Sequence, residues 1–182
     1  MTPRRLPPPP PTAQPNVFPL EWDSGAPITY DLFELAKREL AAIAADEGAK
    51  PGDKKRAERE LVKITAYAAG SGPHTEALKL VEEFIKKDPE DLEMRIFQAE
   101  VNIWDKNLEK ALELFIPLVK QNPDNAAIAG GFANAAAKLR TPLSEEDQVL
   151  LMKVADRAAA PDNKDPLLVA RAAEAFATQL ND

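Results

Sequence analysis

Residues 77–90, ALKLVEEFIKKDPE, and residues 111–124, ALELFIPLVKQNPD, align with each other at an offset of 34 positions. Both stretches begin with Ala-Leu, and Pro89 of the first falls on Pro123 of the second. A period of this length is typical of helical hairpins that stack side by side, each burying an apolar face that it cannot bury alone. The alignment therefore predicts a repetitive helical architecture.

The spacing of apolar residues is helical on both sides of these stretches, from residue 29 onward. No segment combines the period-two alternation of a strand with flanking turn signals. Proline, glycine and capping residues divide the pattern into eight segments, with Asp53 opening the second. The sequence therefore predicts an all-α fold of about eight helices, near residues 28–48, 53–69, 75–87, 90–105, 107–121, 124–139, 144–161 and 166–180.

A proline-rich segment precedes this helical part. Nine of the 17 prolines lie in residues 1–27, and proline neither donates a backbone hydrogen bond nor continues a helix. We therefore expect two regions, a proline-rich extended tail over residues 1–27 and a helical domain over residues 28–182. Five consecutive prolines favour the polyproline II conformation. Four tail residues also resemble the proline-rich ligand of SH3 domains, namely Arg4, Leu6, Pro7 and Pro10. The alternative is that the tail is a flexible leader or linker.

Residues 107–115, NLEKALELF, resemble the start of the second helix of a tetratricopeptide repeat. In that register the family's small residue at repeat position 20 is Ala77 and Ala111. Position 8, which packs a small residue between helices, gives Thr65, Ala99 and Ala133. The usual tryptophan at position 4 is absent, since Leu61, Arg95 and Ala129 stand there.

The resemblance implies a right-handed superhelical array of antiparallel helix hairpins. Its repeat units would cover about 58–91, 92–125 and 126–163, with flanking helices at 28–48 and 166–180. The alternative is a bundle of α-hairpins without repeat stacking. Two oddities fit packing better than chemistry. Pro117 should kink the fifth helix, and Gly130 with Gly131 predict close approach by a neighbouring helix or a ligand.

The same resemblance implies a concave groove lined by the first helix of each unit, where a partner peptide or helix would bind. Trp104 is the strongest candidate for a binding hot spot, because buried aromatic anchors dominate binding energies. The alternative for Trp104 is a role in the core. The family's groove positions and this tryptophan give the candidate partner-binding residues Arg59, Val62, Glu93, Ile96, Glu100, Ile103, Trp104 and Asn134.

Composition argues against several other classes of protein. Without cysteine there is no thiolate nucleophile or zinc-thiolate site, and His74 is the only imidazole. His74 lies in a Gly-Pro turn, where we expect it to be exposed and not catalytic. A net charge of -7 disfavours nucleic acid, whose binding rests on phosphate neutralisation. We therefore expect no catalytic residue, metal or cofactor.

No run of 18 apolar residues predicts a membrane span, and no apolar core of a signal peptide is visible. A cytoplasmic location is the default expectation, and a periplasmic one stays open if the chain has been trimmed.

The sequence favours a non-enzymatic scaffold that binds another protein in the concave groove of the helical repeats. One alternative is a small chaperone or adaptor for a secreted or assembled client. Another is a spacer or assembly subunit, part of a larger assembly, whose proline-rich tail is itself the ligand.

Overall fold

The computed structural model describes residues 28–180, with side chains from Leu32 onward. The proline-rich tail and its Arg4, Leu6, Pro7 and Pro10 motif lie outside the described residues. Regular secondary structure between residues 28 and 180 is α-helical throughout, as the apolar spacing predicts. The helices are α1 (Ile28–Ala45), α2 (Pro51–Ala69), α3 (Thr75–Lys87), α4 (Leu92–Trp104), α5 (Leu108–Gln121), α6 (Ala126–Lys138), α7 (Glu145–Ala159) and α8 (Pro166–Leu180). None of these eight described helices is long and apolar enough to cross a membrane.

The 34-residue offset marks equivalent helix ends. α3 ends one residue before Asp88-Pro89, and α5 ends one residue before Asn122-Pro123. Proline disfavours helical backbone at the residue before it, so both helices stop at the same repeat position. α2 begins at Pro51, two residues before the predicted start. Proline suits the first position of a helix, because the backbone N–H that it lacks would have no partner within the helix.

Small residues fill the closest contacts between helices. Ala77 and Ala111, equivalent in the repeat, are both buried, and so are Ala99 and Ala133 at the other small position. Alanine adds only a methyl group beyond the backbone and favours helix, so it lets two helices approach without a cost in propensity. The alanine-rich composition therefore has a packing role in the fold.

α4 lies between two apolar clusters. Met94, Phe97 and Val101 pack with residues of α2 and α3, whereas Ala99 and Ile103 pack with residues of α5 to α8. The three residues of the first set recur at helical spacing and therefore share one side of α4. The helix is buried on two sides and joins the two clusters.

α6 packs most extensively against α8 and touches α7 only slightly. Gln179 near the end of α8 donates from Nε2 to the carbonyl oxygens of Ala136 and Leu139, at 2.9 and 3.0 Å. The unit expected over residues 126–163 would pair α6 with α7 as a hairpin. In the structure the extensive contact of α6 is with α8, and α8 in turn packs against α7.

The glycine pair of α6 is explained by two neighbouring side chains. A Cβ on Gly131 would lie 2.3 Å from Cζ of Phe115, whose buried ring packs directly on the α6 backbone. A Cβ on Gly130 would lie 3.3 Å from Nη1 of Arg171 on α8. Both glycines permit close approach by another helix. Pro117 lies inside α5, which continues through it.

Candidate functional site

The candidate groove residues fall into three environments. Val62 and Ile103 are core residues, 3% and 6% exposed. They offer almost no surface to a partner, and this corrects the groove expected from the repeat register. The physical reason is that α2 and α4 are buried on more than one side, so these two family positions face neighbouring helices. Ile96, Glu100 and Asn134 are half-buried, while Glu93 and Trp104 are exposed.

Arg59 joins α2 to the start of α4. Its Nε donates to Oδ2 of Asp91 at 2.8 Å, and Asp91 also accepts from the backbone amide of Met94 at 3.2 Å, which caps α4. Burial alone would raise the pKa of Asp91. The hydrogen bonds from Arg59 and Met94 outweigh burial, and the pKa of Asp91 lies below its ordinary value.

Glu93 belongs to the same set of contacts. It forms ion pairs with Lys63 and, at 3.5 Å, with Arg59. Two of the candidate partner-binding residues, Arg59 and Glu93, are thus brought together, and each is already engaged by a charge on the neighbouring helix. Their first role is to hold α2 against α4.

Glu100 and Arg171 form a second charged site, across α6. Both are half-buried, and the Arg171 guanidinium lies over Gly130. Burial raises the pKa of Glu100 above its ordinary value, while the positive charge of Arg171 opposes that rise. Within residues 28–180, neither group lies within 4.0 Å of an oppositely charged side-chain atom. The pair is therefore only loosely compensated by the part of the chain that the structure describes.

An aromatic cluster lies at the ends of α2 and α4. The rings of Tyr67 and Trp104 are 5.8 Å apart at an interplanar angle of 37°, and they are 52% and 41% exposed. Phe97 packs edge-on against both rings from below, at 6.2 and 5.7 Å. Trp104 is thus neither fully in the core nor isolated at the surface. It is half of an exposed aromatic pair with a buried support.

His74 does not lie where the sequence places it. It is 4% exposed, and the centre of its ring lies 5.5 Å from that of Trp104 at an interplanar angle of 55°. Its Nδ1 lies 2.6 Å from Oδ1 of Asp105, and its backbone amide donates to the same carboxylate at 3.2 Å. The expected exposure was wrong because Asp105, 31 residues away, ties the turn to the end of α4. These contacts make His74 a support for Trp104.

Sequence reasoning missed three residues of the aromatic cluster and of the charged site. Tyr67 and Asp105 fall outside the family's groove positions, and Arg171 lies in the closing helix, for which the repeat gives no register. The one available signal was at Gly130, because an unneeded glycine in a helix points to a neighbour that approaches closely. Among residues 28–180 no group of three or more histidine or carboxylate side chains is placed to hold a metal ion.

Comparison with protein families agrees with the helical repeat. The family model described as tetratricopeptide repeat matches residues 68–139, from the end of α2 to just beyond α6. No curated protein and no solved structure matches the chain. Repeats of this family generally mediate protein–protein interaction and are generally not enzymes. The eight described helices form a helical solenoid of the same kind. The match therefore supports a tetratricopeptide repeat over residues 68–139.

Proposed function

We propose that the chain is a binding scaffold that holds a peptide or helix of a partner protein against the face formed by α4, α6 and α8. The observation that carries the proposal is the loosely compensated pair Glu100 and Arg171. A half-buried charge without a close partner costs free energy in the free protein. A partner that supplies the missing hydrogen bonds recovers that cost on binding.

The chemistry of this face defines what it can hold. The Arg171 guanidinium presents a planar fork of donors that suits a carboxylate or backbone carbonyl groups. Glu100 accepts from a cation or from backbone amides. An extended peptide offers both kinds of group along its backbone, so the pair supports recognition of a segment that crosses α6.

Two further side chains of the same face are accessible. Ile96 lies one helical turn before Glu100, and Asn134 lies one turn after Gly130, so each pair shares a helix face. Ile96 supplies apolar surface, and the Asn134 amide can both donate and accept. Ile96, Glu100, Asn134 and Arg171 therefore define the site that we assign to the partner.

The test is capture of partners from native lysate by the immobilised chain, with quantitative mass spectrometry. Arg171→Glu should abolish the specific capture, and Glu100→Lys should do the same. The matched controls are Lys86→Glu and Glu82→Lys on the exposed side of α3, which change the net charge by the same amounts. These controls should leave capture intact, and circular dichroism checks that all four variants fold.

Unchanged capture by both Arg171→Glu and Glu100→Lys would contradict the proposal. A chain lacking residues 1–16 separates the site from the tail, because capture should persist in it. Loss of capture on that deletion alone would move the function to the proline-rich segment.

A further inference from the structure

The aromatic pair Tyr67 and Trp104 is unusual among the exposed apolar residues because its two large rings are adjacent and are held in place from beneath. Phe97 supports both rings, and the buried His74, held by Asp105, supports Trp104. Tyrosine and tryptophan lose little side-chain entropy on binding and present both a flat apolar face and a polar edge. The pair is thus a preformed aromatic platform.

The start of α1 lies at the same end of the molecule as this platform. α1 and α2 have 18 and 19 residues and are joined by five, so they run antiparallel and the start of α1 lies beside the end of α2. The ion pair between Lys37 of α1 and Glu76, at the start of α3, agrees with this direction at 3.6 Å. Tyr67 lies two residues before the end of α2, and Trp104 ends α4.

The length of chain between the proline run, residues 7–11, and α1 suits the distance. Two interhelical spacings of about 8–10 Å separate α1 from α4, giving roughly 20 Å. The 16 residues from 12 to 27 span at most about 53 Å when extended. This reach exceeds the roughly 20 Å by more than twofold, so the segment is long enough to bridge the distance. A tether that can span its two sites gives an effective concentration on the order of millimolar.

The chemistry of the run fits the platform. Five consecutive prolines favour polyproline II, which exposes flat pyrrolidine rings on each side. Such segments dock in grooves lined by aromatic side chains, at low entropic cost because the extended helix is already formed. Because proline has no backbone N–H, docking leaves no donor of the run without a partner, and the contact can rest on ring-on-ring packing.

We propose that the proline run, residues 7–11 of this chain, docks on the aromatic pair Tyr67 and Trp104 of the same molecule. The intramolecular occupant is preferred over a second copy because its effective concentration far exceeds a micromolar solution of the protein. This proposal concerns the ends of α2 and α4, and it does not depend on the partner-binding face at Glu100 and Arg171.

The test uses Trp104 as its own reporter. The chain has two tryptophans, so Trp22→Phe leaves Trp104 as the sole emitter. In this background the run is replaced by a Gly-Ser sequence of equal length. We expect a red shift of the Trp104 emission and a larger acrylamide quenching constant, because the platform loses its cover. The matched control replaces residues 12–16 by Gly-Ser and should leave both quantities unchanged.

Two further measurements identify the segment that occupies the aromatic pair. The change on replacing the run should disappear in a Tyr67→Ala background, which removes half of the platform while keeping the reporter. The emission should also be independent of protein concentration from micromolar upward. Absence of any shift on replacing the run would overturn the proposal, and so would a shift that survives Tyr67→Ala. A concentration-dependent signal would overturn its intramolecular form and assign the site to a second copy.

Discussion

The two adjacent glycines of α6 should respond to alanine with opposite signs. Gly131→Ala places a methyl group 2.3 Å from Cζ and 2.5 Å from Cε1 of Phe115, well inside the optimal carbon–carbon separation of about 3.5–4.0 Å. Phe115 is fully buried, so its ring cannot move toward solvent. At Gly130 the nearest atom is the flexible end of Arg171, 3.3 Å away, which can move toward solvent.

The magnitudes follow from two opposing terms. Alanine gains about 1 kcal/mol over glycine in a helix interior at either position. Forcing extra volume into a packed core costs typically about 1–3 kcal/mol or more, and the depth of this overlap points to the upper part of that range. We therefore expect Gly131→Ala to lose roughly 1–2 kcal/mol, and Gly130→Ala to gain up to about 1 kcal/mol.

The assay is urea unfolding, followed by circular dichroism, together with thermal melts. For a chain of this size each kcal/mol moves Tm by about 2–4 °C, so the two variants should bracket the parent protein. Phe115→Leu should partly rescue Gly131→Ala, because the shorter side chain leaves room for the methyl group. Equal responses of the two glycines, or a stabilising Gly131→Ala, would refute the packing of α5 on α6.

Three other perturbations have defined directions. Asp91→Asn should lose about 2 kcal/mol at pH 7, because the charged acceptor of the hydrogen bonds from Arg59 and from the Met94 amide becomes neutral. The folded pKa of Asp91 lies below 3.8, so the stability that its ionised form contributes is present above that pH and is lost as the pH falls through the folded value; urea unfolding at about pH 3 should show a smaller difference than at pH 7. Glu100→Gln should stabilise the protein at pH 7, because burial raises the folded pKa of Glu100 above 4.5 and penalises its ionised form. That gain should disappear below pH 4.5, whereas Glu82→Gln, at an exposed carboxylate, should have no effect in the same titration of stability against pH. Pro117→Ala should raise Tm, with a gain of up to about 3 kcal/mol, because it restores a helical donor and removes a ring clash within α5.

The positions of the helices could be predicted because they depend on local signals. Pro89 and Pro123 end two helices regardless of the tertiary contacts that the rest of the chain makes. The Ser144 side chain caps α7 by accepting a hydrogen bond from the amide of Asp147 at 3.2 Å. The small residues at the repeat positions likewise report packing that is the same in each unit. Such features need no knowledge of distant residues.

The surface could be predicted only in part, because it depends on contacts between residues far apart in the chain. The turn around His74 looks exposed by composition, yet Asp105 lies 31 residues away and draws it inward. The repeat register places Val62 on a groove, but burial of α2 on more than one side turns that residue into the core. The glycine pair of α6 predicted that neighbouring residues approach closely, but it did not identify Phe115 as one of them.

The extensive contact between α6 and α8 sets the order in which the chain can mature during synthesis. A ribosome that completes α6 at Lys138 must add a further 42 residues, 139–180, before α8 is finished. At roughly 5–20 residues per second this takes about 2–8 seconds. During that interval α5 can already cover the Phe115 side of α6, while the side of Gly130 and Ala136 lacks its main partner. The nascent chain therefore has a stage, after synthesis of α5 and α6 and before synthesis of α8, in which this small apolar face of α6 is open to chaperones.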